Sequence, residues 1–148
     1  MSATSNFYDI SSAIRQRLTA NWTTTPILYE NLDESLIKTD GEMPTAFVVC
    51  EIICFDNQPA DIGSPDTPLY RTEGTIRLHI LTPGNRGDGT GLEYADTLAA
   101  IFRGKSFSGV ICSGAGLRGG GEKADHAGNY WRMVVGVDFH YDKVFNVA

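Results

Sequence analysis

No apolar stretch of this chain approaches the roughly 20 residues that a membrane span needs. The longest, Ala46–Cys50 and Ile52–Phe55, are broken by Glu51, and a transmembrane helix is excluded. Cysteine is scarce: Cys50, Cys54 and Cys112 are odd in number and lack the density of a disulfide-stapled secreted scaffold. Three free thiols in a reducing compartment are expected. Basic charge is in short supply, with 12 Lys and Arg against 18 Asp and Glu for a net charge of −6. Such a balance argues against a surface built to neutralise phosphates or to bind anionic lipid, and leaves room only for a local basic patch. The opening MSATSNFYDI has no basic segment followed by an apolar core, so no secretory signal and synthesis in the cytosol are expected. No internal repeat is present.

What is there suits one compact domain spanning residues 1–148. Hydrophobic residues make up 42% of the 148, and a domain of this size hides about two-thirds of the surface its unfolded chain exposes. Phe7, Ile10, Ile14, Leu18 and Trp22 recur at steps of three and four, the signature of an amphipathic helix over 6–22. Ser5 or Asn6 is placed to cap it and Thr23–Pro26 to end it. A second stripe, Leu92, Ala95, Leu98, Ala99 and Phe102, predicts another helix, with Thr90 and Glu93 as a capping box and Gly104 as the left-handed stop.

Strands are expected at Ile27–Tyr29, at Thr45–Phe55, at Tyr70–Ile80 and at Tyr130–Tyr141, with a short one at Val110–Cys112. Thr45–Phe55 is apolar on both alternating sets apart from Glu51 and predicts a central strand covered on both faces. In Tyr70–Ile80 one set is apolar or small while Arg71, Glu73, Thr75, Arg77 and His79 form the wet set. In Tyr130–Tyr141, Trp131, Met133, Val135, Val137, Phe139 and Tyr141 alternate with Arg132, Asp138 and His140. Asn31–Pro44 reads as a polar surface loop. Asp56–Pro68, with three prolines, is expected to leave the ladder as a loop or hairpin tip, and Gly114–Gly128 as a flexible glycine-rich connection. The order of elements indicates an α+β fold, an antiparallel or mixed sheet with two helices packed on one face.

Motif-like strings carry little chemistry. Gly114–Gly119 spells G-x-G-x-x-G, but no helical stripe follows to present N–H groups to a pyrophosphate. Gly104-Lys105-Ser106 resembles the end of a phosphate-binding loop, yet Ala99 stands where its first glycine belongs and the string follows a helix. Cys50 and Cys54 fall on one face of a strand roughly 13 Å apart, too far to share a metal. His79, His126 and His140 are scattered. Arg86-Gly87-Asp88 and Asn21-Trp22-Thr23 spell an adhesion tripeptide and a glycosylation sequon, neither of use in a chain without a secretory signal. The informative feature is the wet face: Arg71, Glu73, Arg77 and His79 on one strand, Arg132, Asp138 and His140 on the other. Its plain reading is a solvated surface. Its sharper reading is a set of subunit contacts, since mixed charges fix register between copies more than they add affinity.

Several strings taken in order carry a resemblance. The helix Phe7–Trp22 leads into Thr25-Pro26-Ile27-Leu28-Tyr29-Glu30-Asn31. Met43-Pro44 precedes a strand, and Gly74-Thr75-Ile76-Arg77-Leu78-His79-Ile80-Leu81-Thr82-Pro83 precedes a glycine turn and the second helix. Tyr130-Trp131-Arg132 through Asp138-Phe139-His140-Tyr141-Asp142 ends the series. In this sequence of features the chain resembles the tail-terminator, or tail-completion, proteins of long-tailed bacteriophages and phage-like particles. Segments 57–68 and 114–128 match nothing in that pattern.

The resemblance implies a structural virion protein and not an enzyme. It implies a homohexameric ring that assembles on the tail tube, stops its polymerisation and joins the tail to the head-side connector or stopper protein. Location in the host cytoplasm before assembly and at the head–tail junction afterwards goes with it. DNA would pass through the ring without specific binding, and no cofactor, metal or membrane is implied. Arg71, Glu73, Arg77, His79, Arg132, Asp138 and His140, with loops 31–44 and 56–68, are the expected contact residues. A tail-tube or head–tail connector subunit is the alternative within the same class. A small cytosolic enzyme or ligand-binding domain is the alternative outside it, and it requires convergent ionisable groups in a pocket.

Overall fold

The computed structural model of the chain describes residues 7–29, 46–59, 69–83, 89–123 and 130–144. Two helices, α1 (Phe7–Asn21) and α2 (Gly89–Phe102), accompany six strands: β1 (Ile27–Tyr29), β2 (Phe47–Pro59), β3 (Leu69–Pro83), β4 (Ser106–Phe107), β5 (Val110–Lys123) and β6 (Tyr130–Val144). The strands form one mixed, curled sheet in the order β1-β2-β3-β6-β5-β4. Only β1 and β2 run parallel, and every other neighbour is antiparallel. This is the α+β architecture that the sequence pattern indicates.

Register shows why both helices lie on one face. Cys50 is opposite Leu78 and Leu78 opposite Val135, while Ile76 is opposite Ile52 and Val137, so these side chains share the inner face. They join Ile10, Ile14 and Leu18 of α1 and Ala95, Leu98, Ala99 and Phe102 of α2 in one buried cluster. Phe102 is fully buried, and truncating such a side chain typically costs about 3–5 kcal/mol. Trp22, just past α1, meets the Tyr94 ring of α2 edge-on at 5.3 Å, and its indole N–H donates to Thr25 Oγ1 at 2.9 Å. α1 also touches both edge strands of the curled sheet. The Arg15 guanidinium lies 5.1 Å from the Tyr29 ring centre in β1, and that of Arg17 lies 5.1 Å from Phe107 in β4.

Four details differ from the sequence pattern. First, β2 does not break at Asp56: after an irregularity at Phe55, Asp56–Pro59 pair with Tyr70–Glu73. Proline lacks only an N–H, and Pro59 is the last residue of the strand, where that loss is tolerated. Second, Gly114–Lys123 is not a loop but the continuation of β5, paired to β6 through three register shifts. Glycine supplies no side-chain alternation to reveal such a strand, yet its backbone pairs as well as any other. Third, among the described residues β2 is covered by helices on one face only. Val48 and Cys50 are buried, whereas Phe47, Val49, Glu51 and Ile53 are half-buried on the other side. Fourth, α2 begins at Gly89, so Thr90 lies inside the first turn and is not the cap, and Gly91 is buried while Leu92 is 36% exposed.

Gly104 ends α2 with φ +67° as expected, and Ser108 and Gly109, both at positive φ, form the two-residue turn between β4 and β5. The cap at Ser5 or Asn6, the loop 31–44, residues 60–68 and residues 124–128 lie outside the described residues.

A candidate assembly face

Because successive strand residues point to opposite faces, burial of Ile76, Leu78 and Ile80 leaves Arg71, Glu73, Thr75, Arg77 and His79 on the outer face. Register places Arg132, Asp138 and His140 of β6 there as well, opposite Leu81, Thr75 and Glu73. All seven residues expected at subunit contacts therefore share one surface. No described helix covers it.

Most of its charges are already paired within the chain. Arg71 donates from Nε and Nη2 to the two carboxylate oxygens of Asp142 at 2.8 and 3.0 Å. Arg118 makes the same two-pronged contact with Asp138 at 2.7 and 2.9 Å, and Asp138 also accepts from Thr75 Oγ1 at 3.1 Å. Glu51 on β2 holds His79 Nε2 at 3.1 Å and Arg77 Nη1 at 3.7 Å. Arg132 and His140 are half-buried, and Glu73 is exposed.

Arginine forks facing carboxylates move the acids in a definite direction. The Arg118 guanidinium, with a smaller contribution from Thr75, holds the Asp138 carboxyl below the ordinary carboxylate range. Arg71 does the same for Asp142. Arg118 reaches Asp138 by crossing β6 at Gly136. A Cβ built on Gly136 would stand 2.6 Å from Arg118 Cδ, so the absence of a side chain there is what lets the arginine lie flat.

Three participants were not among the expected contacts. Arg118 was hidden in a segment whose glycines read as a loop. Asp142 lies one residue past the alternating run. Glu51 stood out in the sequence only as the polar exception in an apolar strand, and its polarity is explained by the Arg77 and His79 side chains that β3 brings to it.

Among the described residues no three His, Cys, Asp or Glu side chains gather as a metal site. Cys50 and Cys112 are buried, and burial pushes the Cys112 thiol up to about 11. Gly114–Gly119 lies inside β5 with no helix after it, and Gly104-Lys105-Ser106 follows α2. His126 and Arg86-Gly87-Asp88 lie outside the described residues. No described helix is long and apolar enough to cross a membrane.

Comparison with known proteins adds the fold and stops there. No family model matches the chain, and no curated protein does. Solved structures do match. One of them aligns over 97% of this chain and 98% of its own with a TM-score of 0.56 at 14% identity, so the whole chain is similar in fold to a protein of nearly the same extent.

Proposed function

We propose that this chain is a structural subunit that acts by shape: a tail terminator that closes into a ring on a phage tail tube, halts tube growth and offers its far side to the head-side connector. The observation that carries this reading is the outer face, a sheet surface with strands up to 15 residues long, free of described helices. Most of its charges are paired within the chain, so a partner docking there meets few ions that it would have to neutralise itself.

The ordered strings that resemble tail terminators run through the elements that make this face, β3 and β6. The acidic balance of the chain also suits a ring through which DNA must slide, since cationic phosphate contacts are what would hold it. The likeness in fold to a solved structure is compatible with this reading and does not single it out. The test is tube growth: tail-tube protein polymerised with this chain should give tubes of arrested length, each with a ring at one end by negative-stain microscopy. Co-polymerisation along the tube walls would instead make the chain a tube subunit, and tubes of unchanged length with bare ends would refute the proposal.

A further inference from the structure

β4 covers only the start of β5, pairing Ser106 and Phe107 with Ile111 and Val110. The turn from α2 to β4 covers the next stretch: the Gly104 N–H donates to the Ser113 carbonyl at 3.1 Å, and the Arg103 guanidinium donates to the Ala115 carbonyl at 3.1 and 3.3 Å. From Gly116 onward no described strand lies on the side of β5 away from β6. A bare strand edge is a template for pairing with another chain, and folded proteins blunt such edges with brevity, proline, charge or bulges. Here β5 is long, Gly116–Gly121 contains no proline, and its one charged residue, Arg118, is turned onto the outer face to meet Asp138. Bulges are the device that remains.

Two of the register shifts in β5 are bulges in which two residues oppose one. Ser113 and Gly114 lie opposite Asp138, between the pairing of Cys112 with Phe139 and that of Ala115 with Val137. Arg118 and Gly119 lie opposite Val134, between the pairing of Leu117 with Val135 and that of Gly120 with Met133. In the first bulge Ser113 Oγ donates to the Asp138 carbonyl at 3.3 Å, and in the second Gly119 takes a φ of +143°, which residues with a side chain rarely adopt. One side chain joins the two. Arg118 leaves the second bulge, passes over Gly136 and forks onto the carboxylate of Asp138, opposite the first, at 2.7 and 2.9 Å. On the way its Nη2 comes within 3.9 Å of where a Cβ on Gly114 would stand.

We propose that Arg118 is a staple between two bulges, and that the stapled bulges keep the free edge of β5 from pairing with the same edge of a second copy. A bulge bends its strand and raises the local twist, so the donors and acceptors of an incoming strand fall out of line with those of β5. With the staple gone, β5 can relax toward a regular register, and its glycines offer no side-chain bulk to hinder approach. The strand that then adds is β5 of another copy. Two identical edges related by a two-fold axis run antiparallel, and such pairing needs only main-chain groups. The guard belongs to the folded chain and holds whether or not copies close into a ring.

Amide hydrogen exchange read by mass spectrometry, with sedimentation of the same full-length samples, tests the staple and the guard together. Arg118→Ala and Asp138→Ala should each speed exchange in the Ser113–Gly121 stretch of β5 by about two- to fivefold, the scale of one half-exposed ion pair. Each should also yield assemblies larger than any the wild type forms. The double substitution should add nothing to the larger single effect, because both remove the same link. From a net charge of −6, Arg118→Ala moves the chain away from neutrality and Asp138→Ala towards it, so association governed by charge alone would shift in opposite directions. Gly119→Ala, uncharged but strained at φ +143°, should act in the same direction as the other two, and circular dichroism verifies that all three fold. Wild-type exchange in Arg118→Ala would remove the staple. Faster exchange without larger assemblies would leave a staple that guards nothing, and either result overturns the proposal, as would opposite shifts in the two charge variants.

Discussion

The crossing of Arg118 over Gly136 gives a prediction whose size follows from the structure. Gly136→Ala places a methyl 2.6 Å from Cδ and 3.3 Å from both Cγ and Nε of Arg118. An arginine side chain is flexible, so the overlap is relieved by lifting the guanidinium away, and the cost is the lost fork on Asp138. With the two side chains 40% and 49% exposed, solvent screens the pair, and a coupling of about 0.5–1 kcal/mol is the right scale. Replacing glycine by alanine in a strand returns a similar amount through the unfolded chain, roughly 0.5–1 kcal/mol. Total stability should therefore barely move, while the coupling disappears. The assay is a double-mutant cycle by urea unfolding, Arg118→Ala with Asp138→Ala, run once in the wild-type background and once in the Gly136→Ala background. The bond from Thr75 to Asp138 is lost equally on both arms and cancels. Equal coupling in the two backgrounds would show that the path of Arg118 does not depend on a missing side chain, and the reasoning would fail.

Other expectations follow from the same geometry. Gly74→Ala would drive a Cβ into the Ile53 carbonyl oxygen and to 2.8 Å from Phe139 Cζ, backbone and core that cannot swing aside, and should cost about 3 kcal/mol. Gly91→Ala meets only Met133 Sδ at 2.8 Å, an adaptable side chain, and should stay within about 1 kcal/mol of wild type, helped by helix propensity; unfolding midpoints separate the two. Asp138 and Asp142 have carboxyls lowered by Arg118 and Arg71. Their contribution to stability is present above the unfolded value near pH ~4 and fades as pH falls from there through the folded value. Arg71→Ala and Arg118→Ala should each flatten the acid limb of the unfolding curve, and an unchanged limb would remove the ion pairs from the explanation. Cys112, buried with its thiol raised to about 11, should resist thiol reagents at about pH 7.5 in the folded protein and react once urea is added.

Much of this architecture could be read before any coordinates, and the failures have a common cause. Periodicity located α1, α2, β3 and β6 because each buries one face and leaves the other wet, so water writes its preference into the alternation. It also brought Arg71, Arg77, His79 and Asp138 to one surface. The alternation is silent where side chains are missing, which is why the glycines from Gly114 to Gly121 hid half of β5 and, with it, Arg118. Proline misled at Pro59 because its cost depends on where in a strand it falls. β2 looked covered on both faces since half-buried Val49 and Ile53 are as apolar as a core residue, although no described helix lies over them. The partners of Glu51 could not be inferred either, because pairing across strands is set by register, which sequence spacing leaves open.

The central claim is that copies of this chain close on themselves and do their work as a ring. Native mass spectrometry of the purified protein, paired with negative-stain class averages, tests it most directly. The account predicts one discrete assembly with a central opening and no larger members. A single monomeric mass at micromolar concentration, or an unbounded ladder of ever longer filaments, would contradict it.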